Sequence, residues 1–342
     1  MTANEKTRTL KQFVGMLSTG DPLRHLHLTL VPLRGELCGS LDYLLAQDAI
    51  ASGLLTVTEV SESGSVPELA VFNAAGAMAL LVDGEELVGA KQNRILNTTV
   101  LLPAHAKTRI PVSCVEQGRW RHVSSQFSSG EFSSASLRRR KSRSVGRNLR
   151  ESGVAMSDQG EVWDAVACNI QAADAASPTM ALHDAISQRR DTLDDYLRAL
   201  PFVEGSRGVV AAIAGVFVAI DLFDKPDTLR RLWPRLITGY ALDALGRPDG
   251  PAPEFTANGA RALIEHIGEL AGQPCPSAGL GEDWRFESPA IIGQALVFGR
   301  LCVHLSAFPN DADGVQGQRL SHIQRPSRRR QHRRNEGEQR IY

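Results

Sequence analysis

The first third of the chain alternates apolar and polar residues in the manner of β-strands. Leu26, Leu28 and Leu30 alternate with polar side chains, which predicts a strand with one buried face. A helix over 41–51, capped by Ser40, is expected to follow it. Further strands are predicted by apolar runs at 54–59, 69–73, 78–82, 95–102 and 108–115. Asp83-Gly84 predicts a tight hairpin turn, because the favoured two-residue turn needs positive φ.

Helical spacing dominates the chain after residue 155. Apolar residues recur at helical intervals in four segments, 160–173, 182–197, 229–244 and 263–270. Ser157 is the expected N-cap of the first helix, and Pro234 is expected to kink or restart the third. Two apolar hairpins are also predicted, one over 209–223 that turns at Gly215 and one over 291–308.

The order of these elements defines the expected fold class and domain organisation. Strands come first, then helices, then both again, which predicts an α+β fold rather than a regular βαβ alternation. One domain is expected over 20–310, with a β-rich part (20–120) and a helical and mixed part (155–310) joined by a serine- and arginine-rich connection (121–154). The arginine-rich stretch 311–342 has almost no apolar residues and is expected to be disordered.

Composition narrows the class of protein. The 38 basic and 38 acidic residues balance, so the chain as a whole lacks the charge signature of a nucleic-acid or membrane binder. Weak contacts with nucleic acid are expected of the basic tail alone. Five scattered cysteines without a CxxC pair favour reduced thiols. The N-terminus has no apolar signal core, and the longest apolar run, 209–220, is too short to cross a bilayer. These features predict a soluble cytoplasmic protein.

A basic run lies inside the expected connection. Residues 138–150 include seven arginine and lysine residues and no acid, next to several serines. Such a run is either a solvated loop or a clamp that closes over an anionic ligand.

The strongest concentration of polar side chains in a strand-like context lies between residues 83 and 120. A core needs only the apolar half of that pattern, so the polar half is a candidate binding or catalytic surface. Its members are Glu85, Glu86, Lys91, Gln92, Asn93, Arg94, Asn97, Glu116, Arg119 and Trp120.

These residue types suit an anionic, nucleotide-like ligand. Glu85 and Glu86 would face opposite sides of a strand, so one of them, or Glu116, is the candidate general acid or base. Lys91 and Arg94 would bind phosphate or carboxylate, the Gln92, Asn93 and Asn97 amides would orient the ligand, and Arg119 would close the site. Trp120 would stack on a planar ring. The alternative is structural: exposed salt bridges and amides that satisfy loop backbone groups.

Other candidates are weaker. Cys114 has no histidine at a recognisable offset and is expected to be a buried, inert thiol. His25 and His27 share a strand face, but the sequence gives no signal of a third metal ligand. Asp221 either caps a turn or enters the site. The chain contains no GxGxxG, GxxxxGK[ST], HExxH or GxSxG motif, so neither a cofactor nor a metal is expected.

Three sequence blocks carry a family resemblance. They are ESGSVPEL at 62–69, GEELVGAKQNRILNT at 84–98 and IPVSCVEQGRW at 110–120, with weaker echoes at 159–163, 208–224 and 232–244. With them the chain resembles the ADP-ribosylglycohydrolase- and rhodanese-phosphatase-superfamily-associated protein domain family, a bacterial family of poorly defined function. The resemblance covers about residues 20–310. It implies a ligand derived from a nucleotide, without naming a reaction or catalytic residues.

Three hypotheses of function follow. The first is a hydrolase that acts on an ADP-ribose-like or other phosphorylated small molecule. The second is a non-catalytic module that senses such a ligand or binds a protein partner. The third is a structural domain whose polar blocks only fix the hairpins. Convergence of the polar side chains in one cleft would exclude the third, and their dispersal into solvent would exclude the first.

Overall fold

The structure is a computed structural model that describes residues 9–36, 39, 41–61, 67–247 and 253–310. Within these residues the helices are α1 (Lys11–Val14), α2 (Ala46–Ala51), α3 (Ala135–Ser152), α4 (Gln159–Ala172), α5 (Leu182–Gln188), α6 (Arg190–Ala199), α7 (Pro226–Ala244) and α8 (Ala257–Glu269). None of these helices has the length and apolarity needed to cross a membrane.

Strands form the frame of the molecule. They are β1 (Ser18–Thr19), β2 (Leu23–His25), β3 (Leu28–Arg34), β4 (Tyr43–Leu45), β5 (Leu55–Glu59), β6 (Glu68–Asn73), β7 (Met78–Leu81), β8 (Glu85–Gly89), β9 (Arg94–Leu96), β10 (Val100–Leu102), β11 (Ala106–Cys114), β12 (Phe127–Phe132), β13 (Gly208–Ile213), β14 (Val216–Phe223), β15 (Gln273–Pro276), β16 (Glu282–Glu287), β17 (Ile291–Phe298) and β18 (Leu301–Pro309). The α+β class predicted from the sequence is confirmed.

The strands form three sheets. The large sheet has nine strands in the order β1-β3-β13-β14-β18-β17-β16-β15, with β2 also paired to β3. The curled sheet has six strands in the order β12-β8-β9-β11-β6-β5, and its two edge strands approach each other. The small sheet has the order β10-β7-β4, in which β4 and β7 run parallel.

The large sheet is covered on both faces. On β13, Val209 and Ala211 face the core formed with α3 to α7, whereas Val210 faces the core formed with α1 and α8. Successive side chains of a strand point to opposite faces, so a strand buried on both sides reads as a continuous apolar run. A third core lies between the curled sheet, the small sheet and α2.

Many predicted elements are present in the structure. The strands expected over 54–59, 69–73 and 78–82 correspond to β5, β6 and β7. Both predicted hairpins form, as β13–β14, with Gly215 at a φ of +77°, and as β17–β18. The helices predicted over 160–173 and 263–270 correspond to α4 and α8.

Other expectations need correction. Leu26 lies in a turn at a φ of 49°, and β3 is buried on both faces except at Arg34. Only 46–51 of the predicted helix 41–51 is helical, and its expected cap Ser40 lies outside the described residues, as do Glu62 to Val66 and the tail 311–342. The segment 182–197 forms two helices, while α7 continues through Pro234. Asp158 rather than Ser157 caps α4.

The predicted hairpin at Asp83-Gly84 is also wrong. The turn forms, with Gly84 at a φ of +84°, but β7 pairs in the small sheet and β8 in the curled sheet. The turn is therefore a crossing between sheets. A β-carbon on Gly84 would lie 2.6 Å from the Arg138 side chain, so glycine permits this close approach as well as the backbone conformation.

The serine- and arginine-rich connection over 121–154 is largely regular structure. It contains β12 and the 18-residue helix α3, which begins at Ser134, whose side chain accepts from the Leu137 amide. The basic run predicts either a solvated loop or an anion clamp, because its charges cannot be buried alone. Arg138 and Lys141 nevertheless have 0% exposed side chains, because acidic partners from distant parts of the chain meet them.

These partners make a buried charge cluster of Asp83, Arg138, Lys141, Asp221 and His304. Arg138 forms a two-point pair with Asp221, at Nη1–Oδ2 2.9 Å and Nη2–Oδ1 2.6 Å, and its Nε lies 3.3 Å from Asp83. Lys141 donates to the Asp83 carboxylate, and His304 Nε2 lies 3.0 Å from Asp221 Oδ1. Opposite charges that satisfy one another's hydrogen bonds are the condition under which ions persist in a protein interior.

The cluster keeps its carboxylates ionised. Burial alone would raise the pKa of Asp221, but Arg138 and His304 hold it well below the ordinary value. Burial likewise opposes ionisation of Asp83, and Lys141 and Arg138 lower its pKa. Burial lowers the pKa of Lys141 to about 8.

We predict that Arg138→Met strongly destabilises the protein. The substitution leaves Asp221 and Asp83 buried without their main counter-charge, and removal of one partner of a buried ion pair typically costs about 3–5 kcal/mol. Urea denaturation measures the loss. Arg147→Gln is the matched control, because Arg147 is an exposed residue of the same helix. Its change should stay within about 0.5 kcal/mol. Equal effects of the two substitutions would contradict the structural role of the cluster.

Candidate functional site

The candidate site is an open groove of about 430 Å³, a volume within the usual range of ligand sites. Its wall is built from α2, β12, the first turns of α5 and α6, and the middle of α7. The ionisable side chains that line it are Glu131, His183, Arg190 and Arg235, with Gln47, Ser128 and Ser129 as further polar groups.

A histidine–carboxylate pair lies at this groove. His183 Nδ1 is 3.3 Å from Oε2 of Glu86, whose side chain is fully buried on β8. The imidazole is 38% exposed, and because Nδ1 faces Glu86, Nε2 is the ring nitrogen available to the groove. A β-carbon on Gly130 would lie 2.7 Å from Glu86 Oε2, so the glycine makes room for the carboxylate.

The pair shifts the pKa of both groups. Burial raises the pKa of Glu86, against the bond to His183, and the nearby Glu131 and Glu116 carboxylates add to the rise. The hydrogen bond to Glu86 raises the pKa of His183 above 6.5, against the effect of its own burial. His183 therefore retains its proton at pH values at which a free imidazole has released it. A base or acid poised near neutral pH is what proton-transfer catalysis requires.

Arg235 contributes a guanidinium group that hydrogen bonds to three residues hold in place. Its Nη1 lies 2.7 Å from Glu85 Oε1 and 2.9 Å from Gln47 Oε1, and its Nε donates to the Gly130 carbonyl over 2.7 Å. Glu85 is thereby engaged: its other oxygen accepts from the Val82 amide at 2.7 Å. Glu85 and Glu86 each hold one groove residue, Arg235 and His183 respectively.

A second cation, Arg190, also lines the groove. Arg190 Nη1 is 2.9 Å from Glu131 Oε1, and the Arg190 side chain is 39% exposed. The second Glu131 oxygen is buried and has no hydrogen-bond partner among the described residues. The groove thus presents two guanidinium groups, one imidazole and one partly satisfied carboxylate.

A hydrogen-bond network centred on Glu116 and Arg119, called the brace below, positions His183. Arg119 donates to both oxygens of Glu116, from Nε at 2.7 Å and Nη2 at 2.5 Å, and from Nη1 to the Ala90 carbonyl at 2.7 Å. Glu116 also accepts from the Thr179 hydroxyl at 2.9 Å, and the Leu182 amide donates to Val115. The segment that leads into α5 is therefore fixed to the end of β11, one residue before His183. The brace lowers the pKa of Glu116 against the effect of its burial.

The remaining predicted residues divide between the brace and the interior. Asn93 joins the brace, since its amide donates to Glu116 at 3.1 Å and its side chain accepts from Arg119 at 3.1 Å. Gln92 accepts from Arg94 at 3.0 Å, and Arg94 is fully buried 3.8 Å from Glu59. Asn97 lies on the other side of β11 from this set, bonded to Ser113 and to the Ala155 carbonyl.

Lys91 and Trp120 form a separate surface feature. The Lys91 ammonium lies 5.5 Å from the centre of the Trp120 ring, which is 52% exposed. Neither residue lines the groove. The residues of the predicted surface thus lie in different places: Glu85 and Glu86 contact groove residues, Asn93, Glu116 and Arg119 form the brace, and Trp120 projects into solvent.

The weaker candidates are also located. Cys114 is buried, and burial raises the pKa of its thiol. His25 packs edge-on against Tyr196. Asp221 neither caps a turn nor enters the groove, since it is fully enclosed in the buried charge cluster. Within the described ranges, no group of three or more His, Cys, Asp or Glu side chains is arranged to hold a metal.

A larger surface cavity of about 530 Å³ lies between α1, β16 and β17. Its lining includes Phe13, Trp284 and Phe298, with Glu282 and Arg300 as its ionisable residues. It contains no acid–base pair, so volume alone does not make it the better candidate.

Four groove residues were missed by sequence reasoning: Glu131, His183, Arg190 and Arg235. Glu86 and His183 are 97 positions apart, and Glu85 and Arg235 are 150 apart. No local spacing could join them. The one available signal was the pair Glu85-Glu86, which required partners somewhere in the chain.

Comparison with known proteins gives one match. The family model described as "ARG and Rhodanese-Phosphatase-superfamily-associated Protein domain" matches residues 16–308. No curated protein and no solved structure shows significant similarity to the chain.

We predict that Glu86→Gln lowers the pKa of His183, because it replaces the anionic partner of the imidazolium by a neutral amide. An NMR pH titration of the His183 ring should show a wild-type pKa above the ordinary value of about 6.5 and a lower pKa in the variant. Glu85→Gln is the matched control, since Glu85 holds Arg235 instead. A His183 pKa that does not respond to Glu86→Gln would contradict the pairing.

Loss of the brace has a separate expected effect. Arg119→Met leaves Glu116 buried without its counter-charge, so the free energy of unfolding should fall by about 3 kcal/mol or more. The exposed neighbour Arg121→Met serves as control and should change it by about 0.5 kcal/mol at most. Chemical denaturation distinguishes the two, and an Arg119 variant as stable as the control would refute the brace.

Proposed function

The chain belongs to the ARG and Rhodanese-Phosphatase-superfamily-associated Protein domain family, and on that premise we propose that it binds a phosphorylated, nucleotide-derived small molecule and hydrolyses it in the groove. The observation that carries the proposal is the His183–Glu86 pair, which opens onto a groove that also presents two guanidinium groups. The family description links the chain to ADP-ribose and phosphate chemistry, and the groove supplies groups that suit it.

Anion binding is the first part of the proposal. Arg190 and Arg235 lie on different helices and both line the groove. A guanidinium binds phosphate oxygens through two parallel hydrogen bonds, and it stays charged at every physiological pH. Glu85 and Glu131 hold the two guanidinium groups in place. The apolar wall formed by Ile50 and Ala51 would receive the uncharged part of the ligand.

Proton transfer is the second part. Neutral His183 accepts a proton from a water molecule through Nε2, and the resulting hydroxide attacks the phosphorus or anomeric carbon of the bound ligand. The bond to the leaving group breaks, and the imidazolium returns its proton to that group. Glu86 stabilises the imidazolium while it exists, as a carboxylate does for the histidine of a hydrolytic triad. The two guanidinium groups stabilise the negative charge that develops on the ligand.

The other polar residues receive supporting roles in this proposal. Glu116, Arg119, Asn93 and Gln92 position the segment that carries His183, rather than touching the ligand. Trp120 does not line the groove, so this proposal gives it no contact with the ligand. The alternative function, a ligand-sensing module without turnover, uses the same groove and differs only in the need for His183.

A thermal-shift screen tests binding. ADP-ribose, NAD, ribose 5-phosphate and inorganic phosphate are each tested against the wild type and Arg190→Gln. A ligand present at about 100 times its dissociation constant adds about 2.7 kcal/mol of stability, which is readily seen as a higher melting temperature. We expect one phosphorylated ligand to give this shift and Arg190→Gln to reduce it. Identical responses in the two proteins, or no response in either, would refute binding in the groove.

Turnover distinguishes the enzyme from the sensor. With the ligand found in the screen, His183→Ala should lower the hydrolysis rate about 10²–10⁴-fold and leave binding nearly intact. His122→Ala is the control, because His122 is exposed and lies outside the groove. Binding without any turnover in the wild type would favour the sensor.

The pH profile of turnover provides an independent check. If neutral His183 is the base, the rate falls as pH drops through its pKa, which the Glu86 bond raises. Glu86→Gln should therefore move the acidic limb of the profile to lower pH, besides lowering the rate. A limb that stays in place would assign the titration to another group.

A further inference from the structure

A second anion site is indicated beside α3, on residues other than those of the buried charge cluster. A small cavity there is enclosed between α3 and the strands β16 and β17. Three arginines line it, Arg143, Arg150 and Arg285. Its volume is about 10 Å³, which is close to the space occupied by one water-sized atom group.

Arg285 is the unusual member of this set. Its side chain is 2% exposed, and Nη2 donates to Asp283 Oδ2 at 2.6 Å. Its Nε and Nη1 are buried and have no hydrogen-bond partner among the described residues. A buried guanidinium with two unsatisfied donors is costly, so a group that accepts from them would stabilise the fold.

The charge around the cavity favours an anion. Glu287 lies 2.9 Å from Arg150, and Asp283 is bound to Arg285. Three guanidinium groups and two carboxylates leave a net charge of one positive unit. Arg143 donates to the Asn310 carbonyl at 2.9 Å, so its guanidinium is held at the edge of the cavity.

The glycine at position 146 is a second indication of a ligand at this site. It lies in the interior of α3, where glycine costs helix stability relative to alanine. Packing does not require it, because a β-carbon there would meet only Arg150 Nη1, at an ordinary 3.8 Å. Gly146 also lines the cavity, so a side chain at this position would project toward the space beside the arginines.

We propose that this cavity binds a phosphate group. One oxygen of the tetrahedral anion enters the cavity and accepts from Arg285, while the outer oxygens accept from Arg143 and Arg150. The site is separate from the groove: it shares none of the groove's lining residues, and its occupancy does not depend on the proposed hydrolysis. The donor of the phosphate group is either free inorganic phosphate or a phosphate monoester.

Calorimetric titration of the full chain with inorganic phosphate and with ribose 5-phosphate tests the site at constant ionic strength. Arg150→Gln should weaken phosphate binding about tenfold or more, because it removes a charge-assisted hydrogen bond. Arg147→Gln is the control with the same loss of charge one turn away, and it should weaken binding by less than about twofold. Gly146→Leu, checked for native circular dichroism, should abolish binding because its side chain blocks the cavity.

The Arg190→Gln variant tests whether phosphate binds in the groove instead of the α3 cavity. Phosphate binding that persists in Arg190→Gln and is lost in Arg150→Gln belongs to the α3 cavity, whatever the result for the groove. Several results would overturn the proposal: no binding in the wild type, equal weakening by Arg150→Gln and Arg147→Gln, full binding by Gly146→Leu, or equal competition by chloride. Binding of inorganic phosphate alone would identify free phosphate as the ligand, whereas tighter binding of ribose 5-phosphate would identify a monoester.

Discussion

The pairing of Arg138 with Asp221 and Asp83 is the interaction on which the rest of the structure depends. It joins α3 to β14 of the large sheet and to the turn between the small and curled sheets. Lys141 extends it to the carbonyls of Leu96 and Asn97, at 2.6 and 3.1 Å. Each charge is tolerable in the interior only while its partner is present, so the three sheets and α3 must assemble together.

The same cluster determines where the groove forms. Tyr240 of α7 donates to Asp221, and five residues earlier on the same helix Arg235 holds Glu85 and the Gly130 carbonyl. α3 follows β12 directly, so fixing Arg138 also fixes the strand whose residues line the groove. The cluster and the groove thus share α7, which contributes Tyr240 to the cluster and Arg235 to the groove.

The helices and strands were easier to predict from the sequence than the side-chain contacts between them. Apolar periodicity predicted β5 to β7, α4, α8 and both late hairpins, because a buried strand or helix face requires apolar residues at regular local spacing. The basic run 138–150 has no comparable local signal of burial, since the acidic partners of Arg138, Asp83 and Asp221, lie 55 and 83 positions away. Glu85 and Glu86 were singled out by type and position, yet their partners Arg235 and His183 lie in helices whose polar positions look like ordinary solvent-facing residues.

The most direct test of the central claim, that the groove rather than the Lys91–Trp120 surface is the ligand site, is an NMR map of backbone and side-chain shifts on titration with ADP-ribose. We predict the largest changes at His183, Arg190, Arg235 and Ser129, with little change at Trp120. Changes centred on the Trp120 indole, with none at His183, would contradict it.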